Sequence, residues 1–456
     1  MSTIASISTA PGIGGIGIIR MSGEKTFEIL EKIFKPKTEQ KIEDIKGYTI
    51  KYGHIIENKE IIDEVLVSYF KAPRSYTTEN MCEINSHGGN IIVKKILEMC
   101  LKNGAELAEP GEFTKRAFLN GRIDLAQAES VIDVINAKSD KEAKSGIKQL
   151  EGYLSSEIKG IKQEILDVLV NIEVTIDYPE YDTPEVQEQE IKQMLESVGN
   201  KLEKLEKSFD NGKIIKDGIK TAIIGKPNAG KSSLLNAILK EERAIVTDIA
   251  GTTRDTIEEF VTINGIPLNL VDTAGIREAS DEVEKIGVEK SIKQAKDADL
   301  IIAIFDSSKD LTDEDLEILE LIKNKKSIIL LNKSDLNAKI NENDSRFTEI
   351  TDNIIKISAL NKTGIDLLYE KISNMFNLNE INLDNDILIT NIRHKNIISK
   401  SLDNLKKSKE ALEMNLPIDI ITIYIKNVLE DLGEITGEVV TEDIINEIFS
   451  KFCLGK

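Results

Sequence analysis

The period of the hydrophobic positions changes several times along the 456-residue chain, and each change predicts a different architecture. Over residues 1–118, short β-like runs (Ile16–Arg20, Glu64–Phe70) alternate with helical ones and with pairs of glycines, which predicts a compact α/β domain. From Leu150 the apolar positions are Leu150, Leu154, Ile158, Ile161, Ile165, Val168 and Ile172, in steps of four and three that place one stripe along a helix. A second stripe, Ile191, Leu195, Val198, Leu202, Leu205 and Phe209, runs between Pro184 and a predicted break at Asn211-Gly212. Such stripes need partner helices and read as the core of a bundle.

Between about Lys216 and Phe376 the pattern turns to short β-rich runs: Ile219–Ile224, Ile257–Ile263, Leu268–Val271, Leu300–Phe305, Ser327–Leu331 and Ile354–Ile357. Their alternation with helices predicts a mainly parallel sheet covered on both faces. Asn264-Gly265 is a type I′ hairpin signal and adds one antiparallel pair. Helical spacing resumes after Phe376, through Ile397, Leu402 and Leu405, then Ile421, Ile425, Val428 and Leu432. The expected fold class is therefore multidomain α/β plus α. Residues 1–118 form an N-terminal α/β domain, 119–215 and 377–456 a discontinuous helical domain, and 216–376 an inserted α/β domain.

Composition narrows the function classes only a little. Hydrophobic residues at 40% and charged residues at 30% suit a globular protein. No apolar run nears the roughly 18 residues of a membrane span, and Met1 to Arg20 lacks a secretory pattern. Cys82, Cys100 and Cys453 have no zinc-ligand spacing, so a reducing, cytoplasmic location without membrane association is expected. The net charge of −20 argues against non-specific affinity for nucleic acid. Residues 1–118 carry 16 Lys+Arg and 16 Asp+Glu, so the acidic excess lies later, and any RNA contact is local or delegated to a partner.

The chemistry is concentrated in the central α/β segment. Gly225-Lys226-Pro227-Asn228-Ala229-Gly230-Lys231-Ser232 has the phosphate-loop spacing, directly after a predicted strand and opening a helix expected over Ser233 to Lys240. Glycines let main-chain N–H groups curl around phosphates at a helix N-terminus. Lys231 would reach the β/γ-phosphates and the Ser232 hydroxyl would ligate Mg²⁺. Thr252-Thr253-Arg254-Asp255 supplies a second Mg²⁺ hydroxyl, Thr253, in a switch loop. In Asp272-Thr273-Ala274-Gly275, Asp272 would support the metal and the Gly275 N–H would meet the γ-phosphate. Asn332-Lys333-Ser334-Asp335 and Ser358-Ala359-Leu360 end later strands, and the Asp335 carboxylate can accept both the ring N–H and the exocyclic amine of guanine. A base that cannot satisfy such a group is rejected by about 10⁴–10⁵-fold in comparable polar sites. These pieces predict a Ras-like P-loop GTPase domain.

Hydrolysis needs more. The position after Asp-x-x-Gly, where Ras-like enzymes carry a water-orienting Gln, is Ile276, so unaided hydrolysis should be near about 10⁻⁴ s⁻¹. Ala279-Ser280-Asp281-Glu282-Val283-Glu284 is the nearest supply of carboxylates, and its composition alone does not choose among them or distinguish them from a solvated face.

Several further segments resemble the MnmE (TrmE) family of tRNA-modification GTPases over essentially the whole chain: Ala10-Pro11-Gly12-Ile13-Gly14-Gly15-Ile16-Gly17-Ile18-Ile19-Arg20, Asn85-Ser86-His87-Gly88-Gly89, Glu112 through Asn120, Asp124 through Glu129, and the ending Phe452-Cys453-Leu454-Gly455-Lys456. Leu454 and Arg122 are conservative departures from the family pattern. The resemblance implies GTP contacts from Asn228 through Ser233, including Ser233 itself, and from Thr247, Asp248, Ile249, Ala250, Gly251, Thr252 and Thr253, besides the motifs above. It implies a K⁺ ion held by Asn228, Thr247, Ile249 and Thr252 across dimerised GTPase domains, with Glu284 as the water-orienting carboxylate. It also implies that the N-terminal domain dimerises and binds 5-formyltetrahydrofolate through Arg20, Glu83, Arg122 and Lys456. Cys453 is implied either as a chemically active thiol or as a group of the terminal segment. The implied reaction adds an aminomethyl or carboxymethylaminomethyl group at C5 of the tRNA wobble uridine, as a homodimer joined by the flavoprotein MnmG (GidA) in a heterotetramer. Alternative readings are a ribosome-assembly GTPase, a folate-dependent one-carbon enzyme regulated by GTP, and a switch or scaffold without chemistry of its own.

Overall fold

The computed structural model describes residues 1–38, 47–177, 184–239, 259–270, 298–379 and 387–456. They form two compact units, one of Met1–Ile132, Lys148–Lys201 and Ile397–Lys456, the other of Asp133–Ile147 and Leu202–Asn396. The fold is multidomain α/β plus α.

The first unit contains strands β1 (Ile4–Ile7), β2 (Ile16–Ser22), β3 (Phe34–Pro36), β4 (Thr49–Glu57), β5 (Glu60–Phe70), β6 (Met81–His87) and β7 (Glu106–Leu107). They form a sheet in the order β3-β4-β5-β6-β2-β1-β7, antiparallel except for the β1–β7 pair. Alternation splits its faces. Ile19, Met21, Val65, Val67, Cys82 and Ile84 pack under helices Thr26–Ile33 and Asn90–Lys102, through Ile29, Leu30, Val93 and Ile96. The opposite face carries Arg20 and Glu83, which are direct cross-strand partners, and leaves Ile16, Ile50, Tyr52 and Leu66 exposed.

The second unit holds β8 (Ile219–Ile224), β9 (Glu259–Ile263), β10 (Ile266–Leu270), β11 (Leu300–Asp306), β12 (Ser327–Asn332) and β13 (Ile354–Lys356), in the order β13-β12-β11-β8-β10-β9. Every pairing is parallel except β9–β10, whose turn residues Asn264 and Gly265 have φ of 50° and 77°, the left-handed pair that a type I′ turn requires. Strand β11 is buried on both faces, and its alternate residues enter two cores. Leu300, Ile302 and Ile304 pack with Leu234, Leu235, Leu368 and Ile372. Ile301, Ala303 and Phe305 pack with Leu319, Ile322 and Phe347. Thus helices Lys231–Leu239 and Ile365–Met375 cover one face and Asp313–Ile322 the other.

Among the helical stripes, Leu154, Ile158, Ile161, Ile165 and Ile172 are buried as expected. Leu150 instead ends a separate helix, Asp140–Leu150, because the left-handed Gly152 (φ 87°) precedes Tyr153–Asp177. Val168 is only half-buried and Leu169 takes the core position; Leu402 is likewise half-buried. Helix Pro184–Asp217 runs through the predicted break at Asn211-Gly212. Gly212 is there for close packing: a Cβ on it would lie 2.1 Å from the Ile389 carbonyl oxygen.

Gly212→Ala should therefore lower stability by about 1–3 kcal/mol through overpacking. Gly199→Ala, in the same helix with open space around it, should raise stability by up to about 1 kcal/mol. Urea unfolding of the two variants checks this contrast, and equal midpoints would contradict it.

Candidate functional site

Strand β8 ends at Ile224, and the loop from Gly225 leads straight into helix Lys231–Leu239, two residues earlier than the periodicity predicted. The loop lies tightly on the sheet. A Cβ on Gly225 would meet the Ile304 carbonyl oxygen at 2.5 Å, and one on Gly230 (φ 108°) would meet Asn332 Nδ2 at 2.0 Å. Asn228, exposed, takes a left-handed φ of 62°. Lys231 Nζ donates to the loop's own carbonyls, Gly225 at 2.5 Å and Lys226 at 2.9 Å, and burial holds its pKa below the ordinary value. An ammonium so placed offers positive charge at a helix N-terminus, where an incoming phosphate can replace neutral carbonyls as its partner. Ser232 and Ser233 are exposed on the first turn.

Three further segments reach this loop from the C-terminal ends of β11, β12 and β13. The buried Asn332 side chain donates from Nδ2 to the Ala229 carbonyl at 2.8 Å and accepts the Ala359 N–H on Oδ1 at 3.0 Å. One amide thus joins the phosphate loop to the Ser358-Ala359-Leu360 turn. Ser358 Oγ donates to Asp335 Oδ1 at 2.6 Å and accepts the Asn361 N–H at 3.3 Å. Asp335 and Leu360 are exposed, so the carboxylate's remaining acceptor capacity faces outward. Lys333, at φ 63°, ion-pairs with Asp306 Oδ2 at 2.7 Å. Burial opposes ionisation of Asp306, but hydrogen bonds from Lys333 and Ser308 bring its carboxyl below the usual range. The sequence reading missed Asp306; its one signal is that it closes a hydrophobic strand at the same sheet end as the other motifs.

The structure thus brings together Asn228, Ala229, Gly230, Lys231, Ser232 and Ser233 with Asn332, Lys333, Asp335, Ser358, Ala359 and Leu360. The predicted residues Thr247, Asp248, Ile249, Ala250, Gly251, Thr252, Thr253, Asp272, Thr273, Ala274, Gly275 and Glu284 lie outside the described residues.

A second cluster forms in the first unit. Arg20 donates from Nε and Nη2 to Glu83 Oε1 at 3.0 and 2.8 Å, and from Nη1 to the Gly455 carbonyl at 3.2 Å. Ser8 Oγ donates to the same carbonyl at 3.1 Å. Gly455 is left-handed (φ 84°), and a Cβ there would sit 2.3 Å from the Ile7 carbonyl oxygen, so only glycine fits. The Arg20 guanidinium lies 5.7 Å from the Tyr76 ring centre, and that of Arg122 lies 4.7 Å from it. The Cys453 carbonyl accepts the Gly111 N–H while its side chain is exposed, and Lys456 is half-exposed. The Arg20 side chain is only 15% exposed, because Glu83 and the docked segment enclose it. Cys82 and Cys100 are buried; burial pushes the Cys82 thiol far up and the Cys100 thiol to about 12, which keeps both inert.

Asn332→Ala removes both bridging hydrogen bonds and leaves the Ala359 N–H and the Ala229 carbonyl unpaired in a buried place. It should cost about 2–4 kcal/mol, read as a lower urea midpoint. An unchanged midpoint would mean that the amide joins nothing of consequence.

Known proteins resemble this chain over its whole length. A family model for the GTP-binding protein TrmE N-terminus matches residues 3–122, and one for the MnmE helical domain matches residues 125–453. The tRNA modification GTPase MnmE of Clostridioides difficile is 51% identical over 454 residues, covering 100% of this chain and 99% of its own. That of Acetivibrio thermocellus is 50% identical over 458 residues, with 100% and 99% covered. Among solved structures, the G domain of the T. maritima FeoB iron transporter covers 34% of this chain and 98% of its own, at 25% identity and a TM-score of 0.26. With both family models matched and half of all positions identical to full-length relatives, the chain belongs to the MnmE (TrmE) family of tRNA modification GTPases.

Proposed function

We propose that this chain hydrolyses GTP and, with the MnmG (GidA) flavoprotein, installs an aminomethyl or carboxymethylaminomethyl group at C5 of the tRNA wobble uridine, in the cytoplasm. The observation that carries the nucleotide part is the convergence of Lys231, Asn332, Asp335 and Ser358 at one end of a parallel sheet. In this reading the triphosphate displaces the Gly225 and Lys226 carbonyls from Lys231. Asp335, steadied on one oxygen by Ser358, accepts the guanine N–H groups. The remaining GTP contacts are the residues from Asn228 to Ser233, from Thr247 to Thr253 and from Asp272 to Gly275, with Asn332, Lys333, Ala359 and Leu360.

Ser232 and Thr253 would hold Mg²⁺, and Asn228, Thr247, Ile249 and Thr252 would hold K⁺. The exposed, left-handed Asn228 on the rim of the loop suits a ligand that can reach an ion outside the cradle. When bound, the two ions neutralise phosphate charge, K⁺ in the place of an arginine finger. Glu284 orients the water, since Ile276 cannot.

The N-terminal cluster suits a folate: the Tyr76 ring, two guanidiniums and a carboxylate match a flat polar ring with an anionic tail. Because Arg20 is committed to Glu83 and Gly455, its part is to fix Glu83 for the pterin edge. Arg122, whose exposed guanidinium donates only to the Tyr76 carbonyl at 3.3 Å among the described residues, and Lys456 are then the cations for the carboxylates. Cys453, exposed on the segment that Arg20 anchors, is the thiol available for chemistry there. The apolar side chains exposed on the same sheet face, Ile16, Ile50 and Leu66, support a homodimer through this domain, completed by MnmG as a heterotetramer. The segment boundaries 1–118, 119–215, 216–376 and 377–456 belong to the same reading; the N-terminal family match that ends at residue 122 supports the first of them. Among the described residues no helix is long and apolar enough to cross a membrane.

Replacing Na⁺ by K⁺ should raise the GTPase rate by about 10³-fold or more if the ion replaces an arginine; equal rates in both salts would remove the potassium mechanism. Asp335→Asn should shift preference from GTP toward XTP by on the order of 10²–10⁴-fold, measured by competition binding. Unchanged GTP affinity would misplace the base pocket. Deleting the gene should strip the C5 group from wobble uridine, seen by nucleoside mass spectrometry of tRNA, and an intact modification would exclude the reaction.

A further inference from the structure

Lys226, the residue after the first glycine of the phosphate loop, turns its side chain sideways. Its Nζ donates to Thr312 Oγ1 at 2.7 Å and ion-pairs with Asp315 Oδ2 at 2.5 Å. Asp315 is buried, and the same carboxylate oxygen accepts the Thr312 N–H at 2.9 Å and the Thr312 hydroxyl at 3.1 Å. The acid that caps helix Asp313–Ile322 is therefore also the anchor of a loop lysine. The main chain of Lys226 carries as much. Its carbonyl accepts the Ala229 N–H at 3.2 Å, which closes the loop's turn. A glycine-flanked loop has many conformations to lose on gripping a phosphate, and a charged hydrogen-bonded tether with a buried acid removes much of that freedom in advance.

We propose that Lys226 and Asp315 are positioning residues for the nucleotide's phosphates: the pair holds the loop in its gripping geometry while touching neither base nor sugar. This rests on the reading of the Lys231 loop as the GTP site. It assigns the pair to phosphate affinity alone, since in that reading the base is met at Asp335 and Ser358, in the loops after β12 and β13. Arginine at position 226 can make the same contacts, whereas methionine keeps the length and loses the charge.

The full-length protein and its K226M, K226R and D315N variants would be titrated with GDP and with inosine diphosphate, which lacks the exocyclic amine. K226M and D315N should each weaken both ligands about tenfold. The ratio of GDP to inosine diphosphate affinity should stay at its unmodified value, K226R should bind as the parent does, and the K226M/D315N double variant should be no weaker than either single one. Parental affinity in K226M overturns the proposal. So does a change in the base ratio, or a loss of binding tracked by an equal fall in the melting temperature without nucleotide, because either reports general damage rather than loop positioning. If the parent protein retains neither diphosphate, the GTP-site reading itself falls, and the role of the pair with it.

Discussion

The buried amide of Asn332 is the constraint on which the proposed nucleotide site depends. Strands β8, β12 and β13 each deliver a loop to the same sheet end, but parallel strands fix only where those loops start. The hydrogen bonds from Asn332 to Ala229 and from Ala359 to Asn332 fix how the loops stand relative to one another. Because both partners are main-chain groups, the bridge sets backbone position, and it leaves no room for any residue but glycine at position 230. In the proposed GTP site, phosphate grip and base reading would thereby be properties of one arrangement, which suits a switch that must tell one nucleotide from another before its loops respond.

A comparable economy holds in the N-terminal sheet. Arg20 and Glu83 face each other across β2 and β6, and the Arg20 guanidinium draws in the Gly455 carbonyl. A segment more than 400 residues away in the chain is so fastened beside the Tyr76 ring, with Cys453 exposed on it. Residues near both ends of this unit's sequence therefore form one cluster, and the second unit's motifs form another.

Much of this was legible in the sequence. Short, nearly continuous apolar runs located the parallel strands because β11 and β12 are buried on both faces and β8 is exposed only at Lys220, each built mainly of Ile, Leu and Ala. The hairpin was legible because Asn264-Gly265 satisfies a local backbone requirement. Gly212 misled because a glycine signals a helix end by local rules, whereas here it serves contact with Ile389, which no local pattern encodes. The same limit hid Asp306 and the Lys226–Asp315 tether, whose partners are distant in sequence. Arg20 and Glu83 were chosen by resemblance alone; their mutual pairing is a matter of strand register, visible only in three dimensions.

The most direct test of the account is equilibrium binding of labelled GTP to the purified full-length protein, with ATP as competitor. The account predicts that the protein retains GTP and that ATP fails to displace it except at concentrations higher by about 10³-fold or more. Equal displacement by ATP and by unlabelled GTP, or no retention of GTP at all, would contradict it.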